Sequence, residues 1–399
     1  MKVLIVNKFL YLNGGSETYI FKIGEELQRT GHEVQYFGME HEGRIVGNRA
    51  ECYTENMDFH TGKLRKILYP FKIIYSAEAR RKIRCVLEDF QPDAVHLNNF
   101  NFQITPSILY EIRKYEKKSG QKVRIVYTAH DSQLVCPNHL MQNPSTGKRC
   151  SQCLKQGRIS CMKNKCIHGS GIKSMLGFVE GTLYARLKTY EKIDVIICPS
   201  RFMKEQLDSD PVLRQKTIVM HNFVDRPEAA GREKEDYVLY FGRYSLEKGI
   251  DTLLKVCSKL PRIPFRFAGA GPMEEQIGRC KNVENVGFLS GGELFETIAK
   301  ARFTVFPSEC YENCPFTVME SISSGTPVIG SNLGGIPEVL EENVTGELFE
   351  SGNVQELKGK VERLWKERER LEEYTSACRK VHFDTLQEYC KKLLKLYEN

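Results

Sequence analysis

Lys2-Val3-Leu4-Ile5-Val6 is followed by the turn Asn13-Gly14-Gly15-Ser16, by a helical stretch from Glu17 to Thr30 that Gly31 ends, and by a second apolar run from Glu33 to Phe37. An apolar run without alternation is what a parallel strand covered on both faces requires, so this opening reads as one strand–helix–strand unit. Ala94 to Leu97, Val123 to Thr128 and Asp194 to Cys198 continue the alternation. A second series starts at Tyr237 to Phe241 and runs through Phe265 to Ala268, Asn285 to Phe288, Phe303 to Phe306, Pro327 to Gly330 and Gly346 to Phe349. Two such series predict an α/β protein of two doubly wound Rossmann-like domains facing each other across a cleft.

The seam is expected between Asn222 and Asp236, where Pro227 and the charged run from Gly231 to Asp236 interrupt the apolar pattern. This gives a first domain over 1–222 with a cysteine-rich insertion at 136–170, a second over 223–380, and a last helix, 381–399, that packs back on the first domain. With 399 residues, 41% of them hydrophobic and 27% charged, the chain can bury two cores, and collagen, coiled coil and whole-chain disorder are excluded. The net charge of +7 is uneven: +12 over 1–222 and −5 over 223–399. Such a basic half suits an anionic partner (a phosphorylated substrate, a membrane surface or nucleic acid) or is a solvated surface without one.

No run approaches the ~20 apolar residues of a membrane span, and the start lacks a leader pattern, which predicts a cytoplasmic protein. Of the fourteen cysteines, Cys85, Cys198 and Cys257 sit singly in apolar runs, which reads as reduced thiols.

In doubly wound sheets ligands bind beyond the carboxyl ends of strands, so the loops that follow strands are where chemistry is sought. Gly14 and Gly15 precede a helix, where backbone amides can approach an oxyanion. Gly242-Arg243-Tyr244-Ser245-Leu246-Glu247-Lys248-Gly249 places two cations, Arg243 and Lys248, in one loop, enough to clamp a diphosphate. Gly269-Ala270-Gly271-Pro272 lacks the rest of the dinucleotide fingerprint, which disfavours a nicotinamide or flavin role; the pair instead allows close backbone approach. The most specific loop runs from Pro307 to Glu320 and holds Glu312 and Glu320 seven residues apart, the second in a helix starting near Phe316. Amides at that helix start suit a phosphate, and flanking carboxylates can accept hydrogen bonds from sugar hydroxyls.

With its Gly-Arg-x4-Lys-Gly loop, Gly-x-Gly-Pro turn, Glu-x7-Glu motif and Gly334-Gly335-Ile336-Pro337-Glu338, the sequence resembles the family 4 retaining glycosyltransferases, which have the two-domain GT-B architecture. The resemblance covers nearly the whole chain and is densest from Tyr237 to Gly346. It implies transfer of a sugar from a nucleoside diphosphate sugar, of UDP or GDP type, to a saccharide or polyprenyl-linked acceptor in polysaccharide or glycan biosynthesis, with no metal or other cofactor required for catalysis. Residues 1–222 would then be the acceptor side and 223–380 the nucleotide-sugar side. By the same resemblance, Arg243 and Lys248 hold the diphosphate and neutralise the leaving group. Glu320 would bind the ribose, Glu312 would sit beside the donor sugar, and the amides around Phe316 and Thr317 would contact the diphosphate. Val286 to Phe288 would present backbone groups to the base, and Gly271 would bind substrate through close backbone approach. From the first domain Gly15 would approach the donor phosphate and His130 the donor sugar near the reacting carbon, with Asp131 and Asn98 on the same rim. Where many members have glycines after the first Glu, this chain has Asn313-Cys314-Pro315, and the proline withholds an amide donor.

Cys150-x2-Cys153-x7-Cys161-x4-Cys166, in a polar stretch that follows Cys136, matches the ligand arithmetic of a structural zinc site; an iron–sulfur cluster and free thiols also fit. Placed after the strand that precedes His130, the insertion is expected to shape the acceptor side. From Lys63 to Arg84, basic residues (Lys63, Arg65, Lys66, Lys72, Arg80, Arg81, Lys82, Arg84) interleave with large apolar ones. That pattern suits peripheral contact with an anionic membrane at its inner face, or equally a core-packed amphipathic helix with a solvated basic side. Two other functions fit parts of the sequence. A nucleotide-sugar epimerase needs no acceptor surface. A zinc-containing nucleic-acid binder is opposed by the two carboxylates flanking the phosphate site, so nucleic acid is not expected as a partner.

Overall fold

The computed structural model describes residues 1–56, 69–144, 146–147, 149–227 and 231–398. The chain divides into two compact units, one formed by 1–220 with 386–399 and the other by 221–385.

The first unit is built on a six-stranded parallel sheet of order β2-β1-β3-β4-β5-β6. Its strands are β1 (Lys2–Val6), β2 (Glu33–Phe37), β3 (Ala94–Leu97), β4 (Arg124–Thr128), β5 (Val195–Cys198) and β6 (Thr217–Val219). β6 has only three residues and a single buried one, too little for an apolar signature, and the sequence reading passes over it. The strand order reverses between β1 and β3.

The second unit has another six-stranded parallel sheet, ordered β12-β11-β10-β7-β8-β9. Here β7 is Val238–Phe241, β8 Phe265–Ala268, β9 Val283–Gly287, β10 Phe303–Phe306, β11 Val328–Ser331 and β12 Gly346–Phe349. Every residue of β7, β10, β11 and β12 is buried, the pattern of strands covered on both faces. The strand order reverses between β7 and β10, and this reversal fixes where the loops of the second unit converge.

Helices pack by one apolar stripe each. In Ala77–Phe90, Ala79, Ile83, Val86, Leu87 and Phe90 are buried at helical spacing, and the Ser76 side chain accepts from the Ala79 amide as N-cap. Arg80 and Arg84 of this helix both pair with buried Glu111, at 2.7 and 2.5 Å, and Lys72 lies 3.3 Å from Glu55. Three of the five described basic residues of the segment are therefore paired within the unit; Arg81 and Lys82 form no ion pair among the described residues. Lys63, Arg65 and Lys66 lie outside the described residues. No helix among them is long and apolar enough to cross a membrane.

The last helix, Leu386–Glu398, buries Tyr389, Cys390, Leu393 and Tyr397 on one face and belongs to the first unit. Its tyrosines enter a buried polar chain. Tyr397 Oη lies 2.7 Å from His96 Nδ1, His96 Nε2 is 2.8 Å from Thr128 Oγ1, and Tyr19 Oη bridges Thr128 Oγ1 and Tyr389 Oη at 3.0 and 2.8 Å.

Candidate active site

In the second unit the loops after β7 and β10 meet at the reversal of strand order. Residues Leu246–Lys248 form a short 3-10 turn, and Gly249, with φ +73°, closes it. A Cβ on Gly249 would lie 1.9 Å from the Pro307 carbonyl oxygen, so only glycine lets the two loops approach this closely. The amides of Glu309 and Cys310 then donate to the Glu247 carbonyl, at 2.9 and 3.1 Å.

This fastening brings Lys248 Nζ to 2.6 Å from Glu312 Oε1, and Ser308 Oγ donates to the same oxygen at 2.8 Å. Burial works against the Lys248 ammonium, but Glu312, with Cys310 and Glu247, more than offsets it and raises the Lys248 pKa. Glu312 is held from behind as well. Gly335 N donates to the Glu312 carbonyl at 2.8 Å, and a Cβ on Gly334, at φ +60°, would stand 2.4 Å from that carbonyl oxygen. The Gly334–Glu338 segment is thus the backing of Glu312, a relation that spacing in the sequence does not show.

The helix Phe316–Ser323 begins directly after this loop with Pro315 at its N-cap. Its supply of free amides starts at Phe316 and Thr317, whose positions in the first turn leave them without intrahelical acceptors. The Phe316 ring stands edge-on to Phe223, with centroids 5.7 Å apart. Glu320 lies one turn further on and is half-buried. Arg243 is exposed and has no ion pair among the described residues; its carbonyl accepts from Tyr240 Oη at 2.8 Å. The structure therefore joins Lys248 to Glu312 and leaves the Arg243 guanidinium open.

The Gly271 turn packs on the loop after β7: Tyr244 N donates to Ala270 O at 2.9 Å and Met273 N to Tyr244 O at 3.1 Å. The close approach expected of its glycines is made to the backbone of a neighbouring loop. Val286 is half-buried on edge strand β9, whereas Phe288, just past it, is 78% exposed.

In the first unit, Gly14 is the N-cap of the helix Gly15–Arg29, with no side-chain cap. Beneath this turn is a carboxylate the sequence reading missed. Glu17 is 2% exposed and accepts from Asn7 Nδ2 at 2.9 Å and from Ser16 Oγ at 3.0 Å. Asn99, after β3, donates through Nδ2 to Ser16 Oγ at 2.9 Å and through its amide to Asn7 Oδ1 at 3.0 Å. The sequence offered no signal for this pair beyond Asn7 and Asn99 each ending a strand run.

His130, after β4, has Nε2 2.8 Å from Asn98 Oδ1. The Asn98 amide nitrogen donates to the Val6 and His96 carbonyls, which makes Oδ1 an acceptor and assigns the ring proton to Nε2. Burial pushes the His130 pKa down to about 3, so the imidazole is neutral with Nδ1 as its free lone pair. Asp131 turns instead toward the insertion, where its Oδ2 is 3.7 Å from His139 Nδ1.

A cavity of about 400 Å³ opens in the same unit, with Phe102, Leu140 and Leu176 on its walls and Lys8, His168 and Lys173 among its polar lining. Cys150, Cys153, Cys161 and Cys166 all line a second, much smaller cavity beside it, and Cys136 joins them there.

Solved structures share this architecture over the full chain. Sucrose-phosphate synthase from Thermosynechococcus elongatus superposes with a TM-score of 0.70 at 16% identity, covering 100% of this chain and 98% of that one. HepE from Anabaena in complex with UDP gives 0.69 at 15%, covering 100% of both. The fold is that of the GT-B glycosyltransferases. Residues 13–227 match the model described as Glycosyltransferase Family 4 and residues 223–381 the one described as Glycosyl transferases group 1, and the chain belongs to glycosyltransferase family 4. Among curated relatives, the sulfoquinovosyl transferase SQD2 of Arabidopsis thaliana is 34% identical over 155 residues, 37% of this chain and 30% of that protein. A phosphatidylinositol N-acetylglucosaminyltransferase polypeptide of Homo sapiens is 24% identical over 370 residues, 86% of this chain and 64% of that protein. The chain thus covers less than two thirds of the length of either relative.

Proposed function

We propose that the protein is a retaining glycosyltransferase that moves a hexosyl group from a nucleoside diphosphate sugar to a saccharide or lipid-linked acceptor. The observation that carries the reading is the Lys248–Glu312 pair, 2.6 Å apart, at the reversal of strand order and beside a helix N-terminus. An ammonium, a free guanidinium on Arg243 and the Phe316 and Thr317 amides form the set of donors that stabilises a departing diphosphate without a metal ion.

Strands β10, β7, β8 and β9 lie side by side, so at ~4.8 Å per strand their carboxyl ends form a row about 14 Å long. That row is long enough for an extended donor with its diphosphate at Lys248 and its base near Val286 and the open ring of Phe288; the ribose is assigned to Glu320 by the family motif. The UDP bound to HepE makes uridine donors the first to test. Glu312, fixed by Lys248 and Ser308, accepts hydrogen bonds from the transferred sugar. In the first unit, the amides after Gly14 and Gly15 serve the donor phosphate. Neutral His130 offers the Nδ1 lone pair to a sugar hydroxyl, a hydrogen-bonding role and not that of a general acid.

The acceptor is assigned to the 400 Å³ cavity, whose apolar walls and basic groups match an amphiphile carrying an anionic or hydroxylated head. A panel of labelled nucleotide sugars tests the proposal. Transfer or slow donor hydrolysis that is lost in Lys248→Ala and Glu312→Ala supports it, and absence of nucleotide-sugar binding across the panel overturns it.

A further inference from the structure

Five cysteines that the proposed reaction does not use ring one cavity in the first unit: Cys136, Cys150, Cys153, Cys161 and Cys166. None forms a disulfide. They are arranged as two neighbouring pairs, Cys153 beside Cys136 and Cys161 beside Cys166. Cys136, Cys161 and Cys166 are buried and Cys150 and Cys153 half-buried; Cys150 enters neither pair. The sulfurs surround the cavity without meeting in it, since no three of them lie within 4.8 Å of one another.

Two features of the segment ask for something at the centre. Among the described residues of 136–170, regular structure amounts to the five-residue helices Gln152–Gln156 and Ile159–Lys163 and a bridge between Gln142 and Arg149, so no long helix or strand fastens it. Its charge is also one-sided: residues 132–179 contain seven Lys and Arg and no Asp or Glu. A tetrathiolate complex of a divalent ion carries a net charge of −2 that would balance these cations. The cavity measures about 10 Å³, room for one atom-sized occupant and far too little for an iron–sulfur cluster.

We propose that this cavity is a structural zinc site, with Zn²⁺ bound by Cys136, Cys153, Cys161 and Cys166. Loading converts four thiols and one Zn²⁺ into a tetrathiolate complex with release of four protons, and turning the side chains inward about the cavity is the movement it requires. This ligand set takes Cys136 in place of Cys150, which spacing alone would choose. Asn138, Gln142 and Cys166 line this cavity and the 400 Å³ cavity alike, so the ion fixes one wall of the larger pocket. The site stands independently of the transferase reading.

Elemental analysis of the full chain, purified under reducing conditions without chelator, is expected to find about one zinc per chain. Cys136→Ser and Cys161→Ser are expected to lose it, while Cys150→Ser keeps it and so does Cys85→Ser as a control. Should the first two variants fail to fold, Co²⁺ exchanged into the unsubstituted chain is expected to show the thiolate charge-transfer and visible d–d bands of a tetrahedral sulfur site. The proposal is overturned by zinc absent both as isolated and after reconstitution, by iron in its place, by disulfides among these cysteines in the reduced preparation, or by loss of zinc in Cys150→Ser.

Discussion

Lys248 Nζ sits 2.6 Å from Glu312 Oε1, although the two residues belong to loops that follow different strands. The pair is partly buried, so each charge depends on the other and neither can be removed cheaply. Lys248→Ala and Glu312→Ala are each expected to lower kcat/KM for the donor by about 10²–10³-fold, with near-native circular dichroism. Lys248→Arg should restore little, because a planar guanidinium does not occupy the site of a compact ammonium. Steady-state kinetics with the best donor checks both.

Gly334→Ala should act on the site without touching any charged group. Its φ of +60° and the 2.4 Å approach of a Cβ to the Glu312 carbonyl oxygen mean that the Glu312 loop must shift. The expected cost is ~1–2 kcal/mol in stability, together with a fall in activity larger than an equally destabilising core substitution produces. Urea unfolding and kinetics on the same preparation separate the two effects.

The last helix is expected to be indispensable to the first unit. Tyr397→Phe and Tyr389→Phe each remove one hydroxyl from the chain that runs through His96, Thr128 and Tyr19. Tyr397→Phe should cost about 1–3 kcal/mol by leaving His96 Nδ1 buried and unpaired, and Tyr389→Phe less, about 0.5–1.5 kcal/mol, because Tyr19 keeps its bond to Thr128; thermal or urea unfolding measures both.

Acid should destabilise the first unit through two histidines. Burial lowers His96 and His130 to about 3 from an ordinary 6.5, so the unfolded chain binds more protons between these values. Stability is therefore expected to fall as pH drops from 6.5 toward 3. A His130→Gln variant should show a shallower loss over that window, and activity between pH 6 and 9 should carry no inflection from His130.

Glu180 has the opposite sign. It is 3% exposed, its Oε1 has no hydrogen-bond partner, and burial raises its pKa to about 8. Between 4.5 and 8 the unfolded chain has released a proton that the folded chain keeps, so stability should decline as pH rises through that range. Glu180→Gln, neutral at every pH, is expected to flatten the decline and to gain on the order of 1–3 kcal/mol at pH 8, read from urea unfolding at pH 5 and pH 8.

Most strands and the loops behind them were legible because they are written locally. A run such as Phe303 to Phe306 is apolar throughout since both its faces are covered, and the glycines and charges after it mark the loop at its carboxyl end. β6, with its three residues, carried no such mark. Glu17 was equally invisible, because its partner Asn7 is reached only through the folded turn.

By itself the amino-acid sequence determined the alternation of strands and helices, the division into two halves, and the residue types at each strand end, since all of these follow from short-range periodicity and composition. Only the tertiary structure decided which strand ends are neighbours. Placing β10 beside β7 sets Glu312 against Lys248, and it does so because strand order, unlike strand identity, is settled by how a sheet packs as a whole. The same reason explains why Cys136 joins the later cysteines and why Tyr389 and Tyr397 reach His96 and Tyr19: contacts across long stretches of chain leave no periodic trace.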